Sequence, residues 1–91
     1  MELVTGQIVY SKAGRDKKRC FIILKVEGEY VYLADGELRK VESPKKKKVK
    51  HIMPTVTQAS GISQKLENGE KVSNSEVRKA LAEYGNNCMN L

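Results

Sequence analysis

The stretch RCFIILKV at residues 19–26 decides the fold, because residues 20–24 form the longest unbroken apolar run in the chain. Successive side chains of a strand point to opposite faces of its sheet. An unbroken apolar run therefore predicts a strand that is covered on both faces. We expect this strand to lie at the centre of the domain, with a separate layer packed on each side of it.

The residues around this stretch predict four further short strands. These strands cover residues 6–10, 30–34, 38–41 and 52–53. Gly28 marks one turn, and the Asp35-Gly36 dipeptide is typical of a tight hairpin. Five short strands within residues 1–56 favour a small curled barrel, because closure protects the edges that an open sheet would expose. The sequence thus predicts a mainly β domain.

The last third of the chain changes to a helical pattern. Ser73 can cap a helix, and Glu76 stands three residues later to complete a capping box. We expect this helix to end at Gly85 and a shorter helix to cover residues 62–68. Helices of this length are not stable alone, so residues 57–91 are predicted to form a C-terminal helical extension packed on the barrel.

The positive charge is concentrated in two segments. The chain has 17 Lys and Arg against 11 Asp and Glu, a net charge of +6. Residues 11–19, the first basic segment, hold five basic side chains and one acid. Residues 39–51, the second basic segment, hold seven Lys or Arg side chains and one acid. Two basic segments on a mildly acidic body are typical of a protein that binds a polyanion with one face.

The composition argues against a membrane-spanning helix and favours a cytoplasmic location. The apolar run at 20–24 is far shorter than the roughly 20 residues of a membrane helix. Residues 1–6 lack the basic start and apolar stretch of a secretory signal, which favours a cytoplasmic location. In a reducing cytoplasm we expect Cys20 and Cys88 to be thiols, with a disulfide between them as the alternative.

The first basic segment predicts a binding loop between two strands. Gly14 allows the backbone to adopt a positive φ and to approach a partner closely. Arg15, Lys17, Lys18 and Arg19 surround that glycine with donors for phosphate. The alternative is an ordinary solvated hairpin, since charged surface loops are common.

These residues resemble the KOW motif, a strand-loop-strand unit with a central glycine. Gly14 matches that glycine, with Ile8-Val9 before it and Phe21-Ile22-Ile23 after it, while Lys17-Lys18 stand where KOW loops often carry a second glycine. The resemblance continues through residues 34–41, 43–48 and 74–81. In this combination the chain is similar to small bacterial KOW-domain RNA-binding proteins, which are themselves similar to large-subunit ribosomal proteins of archaea and eukaryotes.

The resemblance implies an SH3-like barrel that binds structured RNA, in ribosomal RNA or ribosomal particles, and acts in translation or ribosome assembly. An A-form duplex hides its base edges, so such a protein reads backbone shape more than sequence. The residues expected to contact RNA are polar or basic, apart from one glycine. They are Ser11, Lys12, Gly14, Arg15, Lys17, Lys18, Arg19, Arg39, Lys40, Lys45, Lys46, Lys47, Lys48, Lys50 and His51. We expect a monomer.

Residues 44–50, the lysine run, allow three interpretations: an arm that becomes ordered on RNA, a nuclear localisation signal, or a solvated loop. The arm is favoured, because adjacent lysines repel one another until phosphates neutralise them. His51 is the only histidine, and its position predicts a phosphate or solvent contact. Tyr10 could stack on a base, although a tyrosine with its hydroxyl satisfied in the barrel is the favoured alternative.

Nothing in the sequence indicates an enzyme. The chain has no Cys-x-x-Cys, no second histidine for zinc and no phosphate-binding glycine motif. We therefore expect no cofactor, no metal, no small-molecule substrate and no membrane partner. The alternative function is a protein-interaction module that docks on a translation or transcription factor through the barrel edge or the C-terminal helix.

Overall fold

The computed structural model describes residues 2–12 and 19–89, with the backbone alone for residues 85–89. These residues form five strands and two helices, with a 3₁₀ turn at Val49–His51. In chain order they are β1 (Gln7–Ser11), β2 (Cys20–Glu27), β3 (Tyr30–Ala34), β4 (Lys45–Lys48), β5 (Ile52–Gln58), α1 (Ser60–Glu67) and α2 (Asn74–Met89).

The five strands form one antiparallel sheet in the order β4-β3-β2-β1-β5. The 3₁₀ turn carries the chain from β4, at one edge of the sheet, to β5 at the other edge. This mainly β architecture agrees with the expected small SH3-like barrel. The sheet is not closed, however, and an open seam separates β4 from β5.

Strand β2 buries both of its faces, as its apolar run predicts. Phe21 and Ile23 lie in an inner cluster enclosed by the curled sheet. Ile22 lies in an outer cluster on the opposite face, and Leu24 packs against that cluster. The outer cluster is completed by residues of β1 and of the helical part: Ile8, Ile62, Val72 and Val77. The helical extension is therefore the second layer that β2 requires.

The capping box at the start of α2 is confirmed. The backbone N–H of Glu76 donates to Ser73 Oγ at 3.1 Å, and the N–H of Ser73 donates to a carboxylate oxygen of Glu76 at 2.9 Å. The predicted end of this helix at Gly85 is wrong, because α2 continues to Met89. A glycine inside a helix costs only about 1 kcal/mol, so it ends a helix only where other interactions favour the turn.

The fourth strand does not lie at residues 38–41, where the sequence predicts it. The carboxylate of Asp35 accepts hydrogen bonds from the N–H groups of Glu37 at 2.9 Å and Arg39 at 2.8 Å, which folds the chain into a turn. The fourth strand is instead Lys45–Lys48, paired with β3. The lysine run is thus a strand and a following 3₁₀ turn, and the expectation of an arm that orders only on RNA is wrong.

The turn after β3 also positions α2. Gly36 has a φ of +79°, and a Cβ at this position would lie 2.5 Å from the carbonyl oxygen of Asn74. Arg78 Nη1 donates to the carbonyl of Gly36 at 2.7 Å, and Asn74 Oδ1 accepts from the N–H of Val41 at 2.8 Å. The start of α2 is therefore seated directly on the backbone of this turn.

The structure bears on two further expectations, the absence of a membrane-spanning helix and the state of the cysteines. Neither helix in the described part of the chain is long and apolar enough to cross a membrane. Cys20 is disulfide-bonded, so the expectation of a thiol at this position is wrong. The side chain of Cys88 lies outside the described residues.

Candidate nucleic-acid interface

The two basic segments meet at one end of the sheet. The N–H of Ser11 donates to the carbonyl of Arg19 at 3.1 Å, and the N–H of Lys12 donates to the carbonyl of His51 at 2.8 Å. Lys47 Nζ donates to Ser11 Oγ at 2.6 Å. Since Lys47 belongs to β4 and Ser11 to β1, this hydrogen bond joins two strands that are not neighbours in the sheet.

The antiparallel order of the strands explains this meeting. Neighbouring strands run in opposite directions, so the last residue of β1, the first of β2, the last of β3 and the first of β4 share one end of the sheet. The cross-strand pairs Tyr10 with Cys20 and Leu33 with Lys45 lie near that end. Both flanks of residues 13–18 therefore start there, although Gly14, Arg15, Lys17 and Lys18 themselves lie outside the described residues.

Most of the described lysines expected to contact RNA are exposed. These exposed lysines are Lys12, Lys40, Lys45, Lys46, Lys48 and Lys50. Lys47, Arg39 and His51 are partly buried. The arrangement can attract and hold anions, because several exposed ammonium groups on one rigid scaffold create a positive field. Among the described residues, no group of three or more His, Cys, Asp or Glu side chains could hold a metal ion.

Arg19 supports the turn rather than only displaying its charge. Its Nη2 lies 3.1 Å from Oδ2 of Asp35, whose carboxylate is 6% exposed. Burial raises the pKa of Asp35, but the N–H groups of Arg39 and Glu37 and the Arg19 guanidinium outweigh it and hold the pKa below the ordinary 3.8. The carboxylate is thus ionised at neutral pH and joins the two basic segments at a second point.

Tyr10 holds the C-terminal helix to the sheet. Its hydroxyl is hydrogen-bonded to Tyr84 of α2, which together with burial raises the pKa of Tyr10 to about 12. Tyr84 also packs against the outer cluster. This geometry agrees with a tyrosine satisfied inside the fold, the favoured alternative, and gives no support to Tyr10 as a base-stacking residue.

The raised pKa of Tyr10 makes stability depend on alkaline pH. The unfolded chain loses this proton near pH 10.0 and the folded protein only near about 12, so the stabilisation is present below pH 10.0 and lost as the pH rises through about 12. We expect Tyr10→Phe to lower the free energy of unfolding by about 1 kcal/mol at neutral pH. The variant should also lose less stability above pH 10.0. Urea unfolding at a series of pH values measures the free energy of unfolding of the parent and the variant. If the two free energies fall equally with rising pH, the result contradicts the Tyr10–Tyr84 hydrogen bond.

A pair of aromatic side chains beside the lysines was not predicted from the sequence. Tyr30 and Tyr32 of β3 lie directly opposite Lys48 and Lys46 of β4. The signal was present, because two tyrosines at alternate positions of a strand share a face. It could not be interpreted without knowing that the lysine run is the neighbouring strand.

Comparison with known proteins assigns no family to this chain. Neither a protein-family model nor a curated protein sequence matches it at a significant level. The KOW resemblance stays a prediction, and the candidate interface is defined by its own geometry and charge.

Proposed function

We propose that the protein is a non-enzymatic RNA-binding module that associates with ribosomal RNA or ribosomal particles. The observation that supports this proposal best is the meeting of the two basic segments. They are far apart in sequence, yet the Lys12–His51 and Lys47–Ser11 hydrogen bonds bring their described parts into contact. A concentration of cations on one side of a small domain is the arrangement that a phosphate backbone requires.

The exposed lysines of β4 would act as a rigid row of phosphate contacts. Lys46 and Lys48 are two positions apart on the strand, so they share a face about 7 Å apart along it. Lys45 begins the strand at the end of the sheet where the 13–18 segment starts. Because the strand is formed before RNA arrives, binding does not need to order this backbone, which removes an entropic cost of association.

Backbone contacts of this kind read RNA by its shape. The wide, shallow minor groove of an A-form duplex displays phosphates and 2′-hydroxyls, which lysine and serine side chains can contact without reading the base edges. Specificity would then come from how the RNA is folded. This agrees with a protein that recognises one structured region of a large RNA.

Salt dependence tests the proposal. The affinity for an RNA hairpin should be measured by fluorescence anisotropy from 50 to 200 mM salt. If the six exposed lysines each contact a phosphate, log Kobs should fall against log salt with a slope of roughly −4 to −5, which lowers the affinity by about 250- to 1,000-fold over this range. No binding at low salt, or a slope near zero, would contradict it. A protein-interaction module would show the first result, because its docking surface binds a protein rather than RNA.

Co-sedimentation tests the association with ribosomes. The tagged protein should be followed on gradients of lysate from its own cells at low and high salt. We expect it in ribosomal or precursor fractions at low salt. Absence from every RNA-containing fraction would contradict the proposal and favour docking on a translation or transcription factor.

A further inference from the structure

The sheet presents a second kind of binding feature, an aromatic surface beside the lysines. Tyr30 and Tyr32 are partly buried, and their rings share one face of β3. Neither ring belongs to the inner or the outer apolar cluster. The helical part packs on this face around Ile22 and Leu24, and neither Tyr30 nor Tyr32 is among the residues of that contact.

Ammonium groups already lie over these rings. Lys46 Nζ is 4.5 Å from the centroid of the Tyr30 ring and 6.0 Å from that of Tyr32. Lys25 Nζ is 5.6 Å from the Tyr32 centroid. The faces of both rings are therefore in contact with lysine ammonium groups, as in a cation–π interaction. We call the surface formed by Lys25, Tyr30, Tyr32, Lys46 and Lys48 the tyrosine face.

Glu27 borders the tyrosine face. Glu27 accepts a hydrogen bond from the Tyr32 hydroxyl at 3.4 Å and lies 3.0 Å from Lys25 Nζ. The hydrogen bond and charge of Lys25 lower the pKa of Glu27 below its ordinary value, so this carboxylate is ionised and largely neutralises Lys25. Lys46 and Lys48 then remain as the cations beside the rings, and the face keeps a net positive charge.

We propose that the tyrosine face binds unpaired RNA bases, which stack on Tyr30 and Tyr32 while Lys46 and Lys48 contact the adjoining phosphates. This inference rests on the proposed RNA-binding function and names a ligand for it: a single-stranded nucleotide segment next to a duplex. Stacking suits this surface, because every base has a π face and aromatic side chains interleaved with cations hold single strands in other proteins. Duplex bases are already stacked and could not use the rings.

The same tyrosines could instead serve only the sheet, since cross-strand pairs of tyrosine and lysine stabilise neighbouring strands. Matched variants separate the two roles. Tyr30→Phe with Tyr32→Phe keeps both rings, whereas Tyr30→Leu with Tyr32→Leu removes them and retains apolar bulk. Two RNAs are needed: a blunt hairpin closed by a tetraloop whose bases are already stacked, and the same hairpin with a short single-stranded extension of uridines.

We expect the parent and the Phe variant to bind the extended hairpin about 10-fold more tightly than the blunt one. The Leu variant should lose this advantage and bind both RNAs with the affinity of the parent for the blunt hairpin. Equal binding of the extended hairpin by the Leu variant and the parent would overturn the stacking inference and leave the proposed function intact. Failure of the parent to bind either RNA would overturn both.

Tyrosine fluorescence provides a measurement that does not depend on the Leu variant folding. The chain has four tyrosines and no tryptophan, so its emission comes from tyrosine alone. Stacking of a base on a ring should quench the emission of the parent with the extended hairpin and leave it nearly unchanged with the blunt one. Equal emission changes with the two RNAs would overturn the inference.

Discussion

Replacing Phe21 with alanine should remove a large share of the protein's stability. Phe21 is the only phenylalanine in the chain and is 1% exposed, in an inner cluster formed by side chains of β1, β2, β3 and β5. Truncating such a residue costs about 3–5 kcal/mol, because the apolar contacts are lost and a cavity remains. A domain of this size has only about 5–14 kcal/mol in total. We expect the Tm to fall by at least about 12 °C.

Phe21→Leu is the matched control for this prediction. Leucine keeps most of the apolar volume, so we expect a loss of about 1–2 kcal/mol and a correspondingly smaller fall in Tm. Thermal unfolding followed by circular dichroism compares the three proteins. If the alanine variant melts within about 2 °C of the parent, Phe21 does not fill the inner cluster.

Reversing the charge of two lysines on β4 should weaken RNA binding by about 100-fold at 0.1 M salt. Lys45→Glu with Lys48→Glu alters exposed side chains and leaves Lys46 over Tyr30 and Lys47 on Ser11. Each phosphate contact adds at most about 0.9 to the magnitude of the salt slope. Between 1 M and 0.1 M salt, one contact therefore raises the binding constant by nearly one order of magnitude. The slope itself should become shallower by about two.

Lys71→Glu with Lys79→Glu is the control of equal charge. Both lysines are exposed, Lys71 just before α2 and Lys79 within it, and neither belongs to β4. A specific interface predicts that this variant keeps the parent's affinity within a few-fold and keeps its salt slope. Equal losses in the two double variants would show that net charge alone drives binding, which contradicts the interface on β4.

The features that the sequence predicted correctly are those set by neighbouring residues. The apolar run of β2 determines that both of its faces are buried, and the capping box of Ser73 and Glu76 forms within one helical turn. Such local patterns do not depend on where the rest of the chain lies. The mainly β architecture with five strands was predicted from the number and short length of the strand-like segments.

The fourth strand could not be predicted in the same way. Lysine has a low preference for strands, so four of them in succession indicated a loop. They form β4 because β3 offers a pairing edge with Tyr30 and Tyr32, and because Asp35 turns the chain before residue 39. The first cause is a pairing between residues distant in sequence, and the second is a hydrogen bond between a side chain and the backbone. Hydrophobic periodicity predicts neither of them.

The sequence predicted that basic side chains would lie together, but not the contacts that individual side chains make. Clustering of the two basic segments was expected from charge, but Arg19 and Lys47 also serve the fold through Asp35 and Ser11. The Tyr10 hydroxyl is hydrogen-bonded to Tyr84, and the aromatic side chains that lie beside the lysines are Tyr30 and Tyr32. Only the strand pairing reveals which aromatic side chains lie beside the lysines.

The positive charge of β4 also opposes edge-to-edge pairing between two copies of this protein. In the described sheet, β4 is an edge strand whose outer backbone groups could pair with the edge of another molecule. Two such edges could approach only by bringing two rows of ammonium groups together, which electrostatic repulsion opposes. High salt or a bound polyanion would weaken that repulsion. The open seam is therefore compatible with a dispersed protein for as long as these charges are not neutralised.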